Sequence, residues 1–163
     1  MQTSSKPSAG ELYLQFQLGE DRYALAAREV VEVLPRRRLK QIPEAPDWVA
    51  GLLAHRGQMI PVLDLSRRVL GRPALARSST RLVLVHFAAA AEEAAVLGLL
   101  LEQATHTLRL PDEAFQSSGL EAGQPDYLGP VQGKGAELIQ RIKVSGLLDD
   151  TMRALLFQTQ GRG

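Results

Sequence analysis

The sequence predicts a mainly β fold, a barrel or sandwich of many short strands closed by one C-terminal helix. Three observations predict it. Apolar residues recur at a two-residue period or in runs of strand length, glycine and proline punctuate the chain between those runs, and only the last segment changes to a helical period.

The 163 residues are 45% apolar, enough for one domain, or two small subdomains sharing a core, to bury roughly two thirds of its unfolded surface. Cysteine is absent, which excludes a disulfide scaffold and thiolate chemistry and removes the commonest ligand of structural zinc. No apolar run approaches the length of a membrane span, and residues 1–10 are polar, without the apolar centre of a signal peptide. Residues 1–10 are therefore expected to form a disordered tail and residues 11–160 a single domain, placed in the cytosol. Net charge is +1, but residues 1–81 carry 13 basic and 8 acidic groups whereas residues 82–163 carry 6 and 10. That asymmetry favours an oriented encounter with a charged partner and falls short of the basic stripe of a nucleic-acid binder.

Leu12, Leu14, Phe16 and Leu18 alternate with Glu11, Tyr13, Gln15 and Gln17, as in a half-buried strand. Gly19, Glu20 and Asp21 turn the chain, and Tyr23-Ala24-Leu25 restarts it, so residues 11–26 read as a hairpin. Val30, Val31 and Val33 surround a lone Glu32 in a third strand that Pro35 stops. Asp47 is positioned to cap a helical turn through Trp48, Val49 and Ala50. Residues 51–55 and 58–65 read as strands flanking Arg56-Gly57, the second apolar on both faces. An arginine-rich connection over residues 66–80 leads to a strand at 82–87. Ala88 to Ala95 reads as a hairpin loop, and residues 96–101 form the returning strand, with 105–110 continuing it. Residues 111–124 are expected to be a surface loop or to hold one helical turn. Residues 127–132 and 137–144 form a last strand pair, with Leu138, Gln140, Ile142 and Val144 on one face. Leu148, Met152, Leu155 and Leu156 then mark the stripe of an amphipathic helix, with Asp149 and Asp150 at its positive end.

The residues offer little chemistry. His55, His86 and His106 lie in three separate segments without metal-ligand spacing, and no nucleophile elbow, phosphate loop or dinucleotide fingerprint occurs. His86 reads as a hydrogen-bonded structural side chain at a strand end, and His55 beside Arg56 as the histidine near a functional surface. Asp64 after its apolar run reads first as a turn cap and second as the carboxylate of a small hydrolase using His55 or His86. Arg36, Arg37, Arg38 and Lys40 read as a solvated loop, with an SH3-like nucleic-acid module as the competing reading. Glu32 and Arg56 each sit in apolar strand surroundings, where an opposite partner would offset desolvation, so a pair between them is the economical expectation.

Taken in order, these motifs resemble the CheW family of chemosensory coupling proteins from Leu12 to about Leu156. The residues that carry the resemblance are Phe16 and Leu18, Tyr23-Ala24-Leu25, Val30 and Glu32, Ile42-Pro43, Pro46, and Gly51 leading to Arg56-Gly57. They continue through Ile60-Pro61-Val62-Leu63-Asp64-Leu65, Gly71, the strand 82–85, Leu97-Gly98-Leu99, Tyr127-Leu128-Gly129 and the closing helix. The resemblance implies two five-stranded SH3-like barrels sharing a hydrophobic core, no cofactor, no metal and no catalysis. It implies a cytoplasmic adaptor, recruited to membrane-associated arrays, that couples a chemoreceptor signalling tip to the regulatory domain of a CheA-type histidine kinase. By similarity the receptor-binding groove would involve Val30, Glu32, Gly51 and Arg56, with Val33 and Gly57 nearby; the kinase-binding residues are not assigned. His55 departs from the apolar residue usual before this arginine, and Glu102 from the usual aspartate. With the arginine-rich loops, these departures point to a specialised system such as the surface-sensing Wsp type.

Overall fold

A computed structural model describes residues 10–90 and 93–161; of the residues expected to form the tail, 1–9 lie outside that description. The strands are β1 (Glu11–Leu18), β2 (Asp21–Ala26), β3 (Val30–Pro35), β4 (Val49–His55), β5 (Gln58–Asp64), β6 (Arg81–Ala90), β7 (Glu93–Leu110), β8 (Leu128–Gln132) and β9 (Ile139–Ile142). Among the described residues, two helices, α1 (Leu65–Leu70) and α2 (Asp150–Gly161), complete the regular structure apart from single 3-10 turns and isolated bridges.

The 18-residue β7 serves twice. Its first part lies between β6, antiparallel, and β5, parallel, giving the order β3-β6-β7-β5-β4. Its second part pairs with β1 and begins the order β7-β1-β2-β9-β8. Each path has five strands, which agrees with the two-barrel expectation. The change of partner coincides with a bulge: Gln15 pairs with His106 but Gln17 with Glu102, and Gln103 between them has φ +55°. The extra residues bend the strand from one barrel into the next.

Three apolar clusters follow from this layout. Leu34, Leu53, Ile60, Val62, Leu82 and Leu84 fill the first barrel, so its terminal strands β3 and β4 converge on one interior. Tyr13, Ala24, Ala26, Leu110 and Ile139 fill the second. The largest cluster, including Phe16, Leu25, Leu63, Val83, Leu99, Ile142 and Leu156, is drawn from both barrels and α2. Arg68 of α1 reinforces the junction, its guanidinium 4.1 Å from the centre of the Trp48 ring and 5.6 Å from that of Tyr127.

Several sequence expectations change. Tyr13 is fully buried, not on a polar face, because β1 divides the barrel interior from the shared core; its ring meets Phe115 at 5.4 Å, with Arg141 above it. Asp47 caps no helix, since the chain enters β4 at Val49, and its carboxylate receives the Arg67 guanidinium at 3.1 Å. Ala88–Ala90 and Glu93–Ala95 belong to paired strands, so the β6–β7 loop is shorter than expected. The expected strand 137–144 shortens to β9, with Val144 opening a 3-10 turn; Ile142 and Val144 are buried as expected, but Leu138 is 43% exposed and Ile139, of opposite parity, fills the second barrel. Leu148, just before α2, and Met152 and Leu156 within it pack on the core while Leu155 is exposed, and Phe157 stacks on Phe87 with ring centres 5.6 Å apart. Asp149 Oδ1 accepts from the Met152 N–H at 2.8 Å, a cap at the helix start. His86 is exposed on its strand and fills no structural site.

Candidate functional site

Only two residues, Arg56 and Gly57, connect β4 to β5, and both have positive φ, +51° and +80°. That pair of angles belongs to the two-residue type I′ turn, whose twist matches the flanking strands. The left-handed conformation costs a residue bearing a Cβ about 1 kcal/mol, so Arg56 holds a position that Asn or Gly would occupy more easily. His55 and Gln58 close the turn as partners.

The turn reaches across the barrel mouth to β3. Along β3, Glu32 pairs with Leu84 and Leu34 with Leu82, both partners belonging to the first barrel's interior, so Glu32 continues that inward row at its rim. There His55 Nε2 lies 3.0 Å from Glu32 Oε1, and Arg56 Nη2 donates to Glu32 Oε2 at 3.3 Å. The expected Glu32–Arg56 pair therefore forms, with His55 as a third member. The bond from His55, aided by the Arg56 and Arg37 charges, holds the Glu32 carboxyl below the usual carboxylate range against the burial that would raise it. Arg56 remains 75% exposed and His55 only 11%, so the imidazole fixes the carboxylate while the guanidinium stays available to a partner.

A bulge between Val30 and Glu32 separates the faces of β3. Val30 packs on the shared core, whereas Val31 and Val33 are 43% and 44% exposed. Gly51 is buried; its φ is +146°, and a Cβ there would lie 2.5 Å from the Lys40 carbonyl oxygen. It shapes the site through the backbone, whereas Gly57 has nothing within 4 Å of where a Cβ would be. Thus Val33, Glu32, Arg56 and Gly57 present themselves at the surface, with Val30 and Gly51 beneath.

Asp64 behaves as a cap. Its Oδ1 accepts from the Arg67 N–H at 3.1 Å and its Oδ2 from the Ala74 N–H at 2.9 Å, while His55 is engaged by Glu32. His106 is exposed and contacts Thr105. Among the described residues no group of three or more His, Cys, Asp or Glu side chains could hold a metal ion, and no helix is long and apolar enough to cross a membrane.

One polar centre went unread as such in the sequence. Glu102, 6% exposed, accepts from the Ser66 hydroxyl and the Leu75 N–H, each at 2.9 Å, and from Arg72 at 2.8 Å. Burial opposes its ionisation, but the bonds from Arg72, Leu75 and Ser66 prevail and hold its carboxyl below the usual range. An acidic residue directly after the apolar run 96–101 was the available signal.

Comparison with known proteins adds a consistent set of likenesses. The family model described as "CheW-like domain" matches residues 12–152. Protein FrzA of Myxococcus xanthus is 32% identical over 136 residues, 82% of each chain. The chemotaxis protein CheW of Treponema pallidum is 29% identical over 131 residues, 80% of this chain and 71% of that one. Among solved structures, the scaffolding protein TtCheW from Thermoanaerobacter tengcongensis superposes with a TM-score of 0.73 at 19% identity, covering 91% of this chain and 94% of the other.

Proposed function

The chain belongs to the CheW-like domain family, and from that premise we propose that it is a non-catalytic cytoplasmic adaptor. In this reading it couples the signalling tip of a chemoreceptor to the regulatory domain of a CheA-type histidine kinase. The receptor contacts the rim built by Val30, Glu32, Val33, Gly51, Arg56 and Gly57.

The observation that carries the reading is the Glu32 carboxylate held by His55 and Arg56 on a strand that also exposes Val31 and Val33. Oriented charge next to apolar surface suits a receptor helix, whose apolar side chains supply contact area while charges at the rim fix its direction. Modest affinity for each partner is sufficient, because receptor and kinase together hold the adaptor through several contacts.

Co-sedimentation of the purified chain with a receptor signalling fragment and with the kinase regulatory domain tests this. Both are expected to retain it at tens of micromolar. Arg56→Ala is expected to weaken receptor retention about tenfold and leave kinase retention unchanged. Failure of the wild-type chain to bind either partner overturns the reading, as does equal loss of both by a variant that keeps its folded spectrum.

A further inference from the structure

The segment joining β3 to β4 carries Arg36, Arg37, Arg38 and Lys40, all exposed. Arg37 acts on Glu32 through its charge. Among the described residues, Arg36, Arg38 and Lys40 have no acidic group within ion-pair distance. The segment is nonetheless fixed in place: the Lys40 N–H donates to the Leu52 carbonyl at 2.8 Å, and the Leu52 N–H to the Lys40 carbonyl at 2.7 Å.

Between this segment and the β4–β5 hairpin runs a trough of about 320 Å3 lined by Arg38, Leu39, Lys40, Leu52, Ala54 and Met59. Leu53 and Ile60 point into the barrel, so Leu52, Ala54 and Met59, of the other parity, face out. Met59 is 37% exposed. The trough is therefore distinct from the Glu32 contact, which continues the inward row of β3. Its floor is aliphatic and thioether, and its rim holds cations left unneutralised by the fold.

We propose that this trough binds an acidic segment of a partner protein, with one or two apolar side chains seated against Leu39, Leu52 and Met59 and flanking carboxylates held by Arg38 and Lys40. A carboxylate-bearing peptide satisfies the rim and the floor together. A single-stranded nucleic acid satisfies only the rim, because the trough has no aromatic ring on which a base could stack. Met in the floor suits a peptide site, since its flexible thioether adapts to varied apolar side chains.

The test uses the full chain and a labelled synthetic peptide of alternating glutamate and leucine, with a lysine–leucine peptide as its charge-reversed counterpart. Fluorescence anisotropy is expected to give binding of the acidic peptide alone, weakening as salt is raised. The double variant Arg38→Glu/Lys40→Glu is expected to lose at least about tenfold in affinity. The control Arg77→Glu/Lys134→Glu makes the same net charge change at two exposed cations away from the trough and is expected to bind nearly as well as wild type. Equal loss in the two double variants reduces the effect to net charge and overturns the proposal. Tighter binding of an oligothymidine probe overturns it in favour of nucleic acid. Self-association of the wild-type chain in sedimentation velocity, abolished by Arg38→Glu/Lys40→Glu, overturns it in favour of a second copy. Receptor retention by Arg38→Glu/Lys40→Glu, measured in parallel, keeps a failure here separate from a failure of the adaptor reading.

Discussion

Ser66 and Glu102 stand 36 positions apart and meet in the interior, the Ser66 hydroxyl donating to Glu102 Oε2 at 2.9 Å with both residues buried. The same oxygen accepts from the Leu75 N–H, so one carboxylate ties β7 to α1 and to the loop after it. Asp64 does the neighbouring work at Arg67 and Ala74. Two carboxylates thus lace α1 and the loop after it to β5 and β7.

Removing the Glu102 carboxylate strands the Ser66 hydroxyl and the Leu75 N–H. Glu102→Ala is accordingly expected to destabilise the fold by about 3 kcal/mol, counting only those two donors at 1–3 kcal/mol each. Arg72 is 41% exposed, and solvent screens its share. The folded-state pKa of Glu102 is depressed relative to the unfolded chain. Its ionisation therefore contributes stability in full above the ordinary carboxylate value of about 4.3, and that stability disappears as pH falls through the lower folded value. Urea midpoints measured between neutral pH and about pH 3 should decline more steeply for wild type than for Glu102→Gln. Parallel acid limbs for the two proteins would remove the carboxylate from this role.

The two site glycines differ in what they tolerate. At Gly51, φ is +146° and an added Cβ would lie 2.5 Å from the Lys40 oxygen and 3.0 Å from Leu39 Cβ, and the flanking Lys40–Leu52 bonds leave the backbone little room to move. Gly51→Ala is expected to cost about 3 kcal/mol, the sum of a disfavoured backbone conformation and an overpacked contact. Gly57 occupies the second turn position with open space around it, so Gly57→Asn is expected to cost only about 0.5 kcal/mol. Chemical denaturation of both variants checks the contrast. A wild-type midpoint for Gly51→Ala would mean that the 39–40 backbone yields.

Strand existence was legible because each strand alternates or runs apolar between turn residues, and the Arg56-Gly57 hairpin and the Asp64 cap declared themselves in the same local way. Whatever depends on a second layer was not legible. Tyr13 and Ile139 look solvent-facing or incidental in their own strands, yet fill a barrel that exists only when β7 changes partners at Gln103. The Glu32–Arg56 pair was inferable from two charges in apolar surroundings, but His55 as its third member was not, because alternation does not say which side chains meet across 23 residues. Glu102 was visible only as an odd residue after an apolar run; its three donors come from α1 and the loop that follows, and no spacing rule links them.

On the proposed receptor-binding role, Glu32 and Arg56 act either separately or as one unit. Glu32 is partly exposed and held by the more buried His55, whereas Arg56 extends into solvent from a turn conformation that it tolerates at some cost. If the carboxylate serves to aim the guanidinium, Glu32→Gln weakens receptor binding by leaving Arg56 unaimed, and Arg56→Ala removes the aimed group itself. The second change should then make the first redundant. Receptor affinity of Glu32→Gln/Arg56→Ala is accordingly expected to match that of Arg56→Ala alone, within about twofold, so that the two losses do not add. His55→Phe supplies an internal check, since it leaves Arg56 on the carboxylate but removes the 3.0 Å contact that fixes it, and its defect should fall between wild type and Glu32→Gln. Titration of each variant with the receptor signalling fragment measures all of these. Additive losses would mean that both side chains touch the receptor independently and that their contact with each other is incidental to recognition.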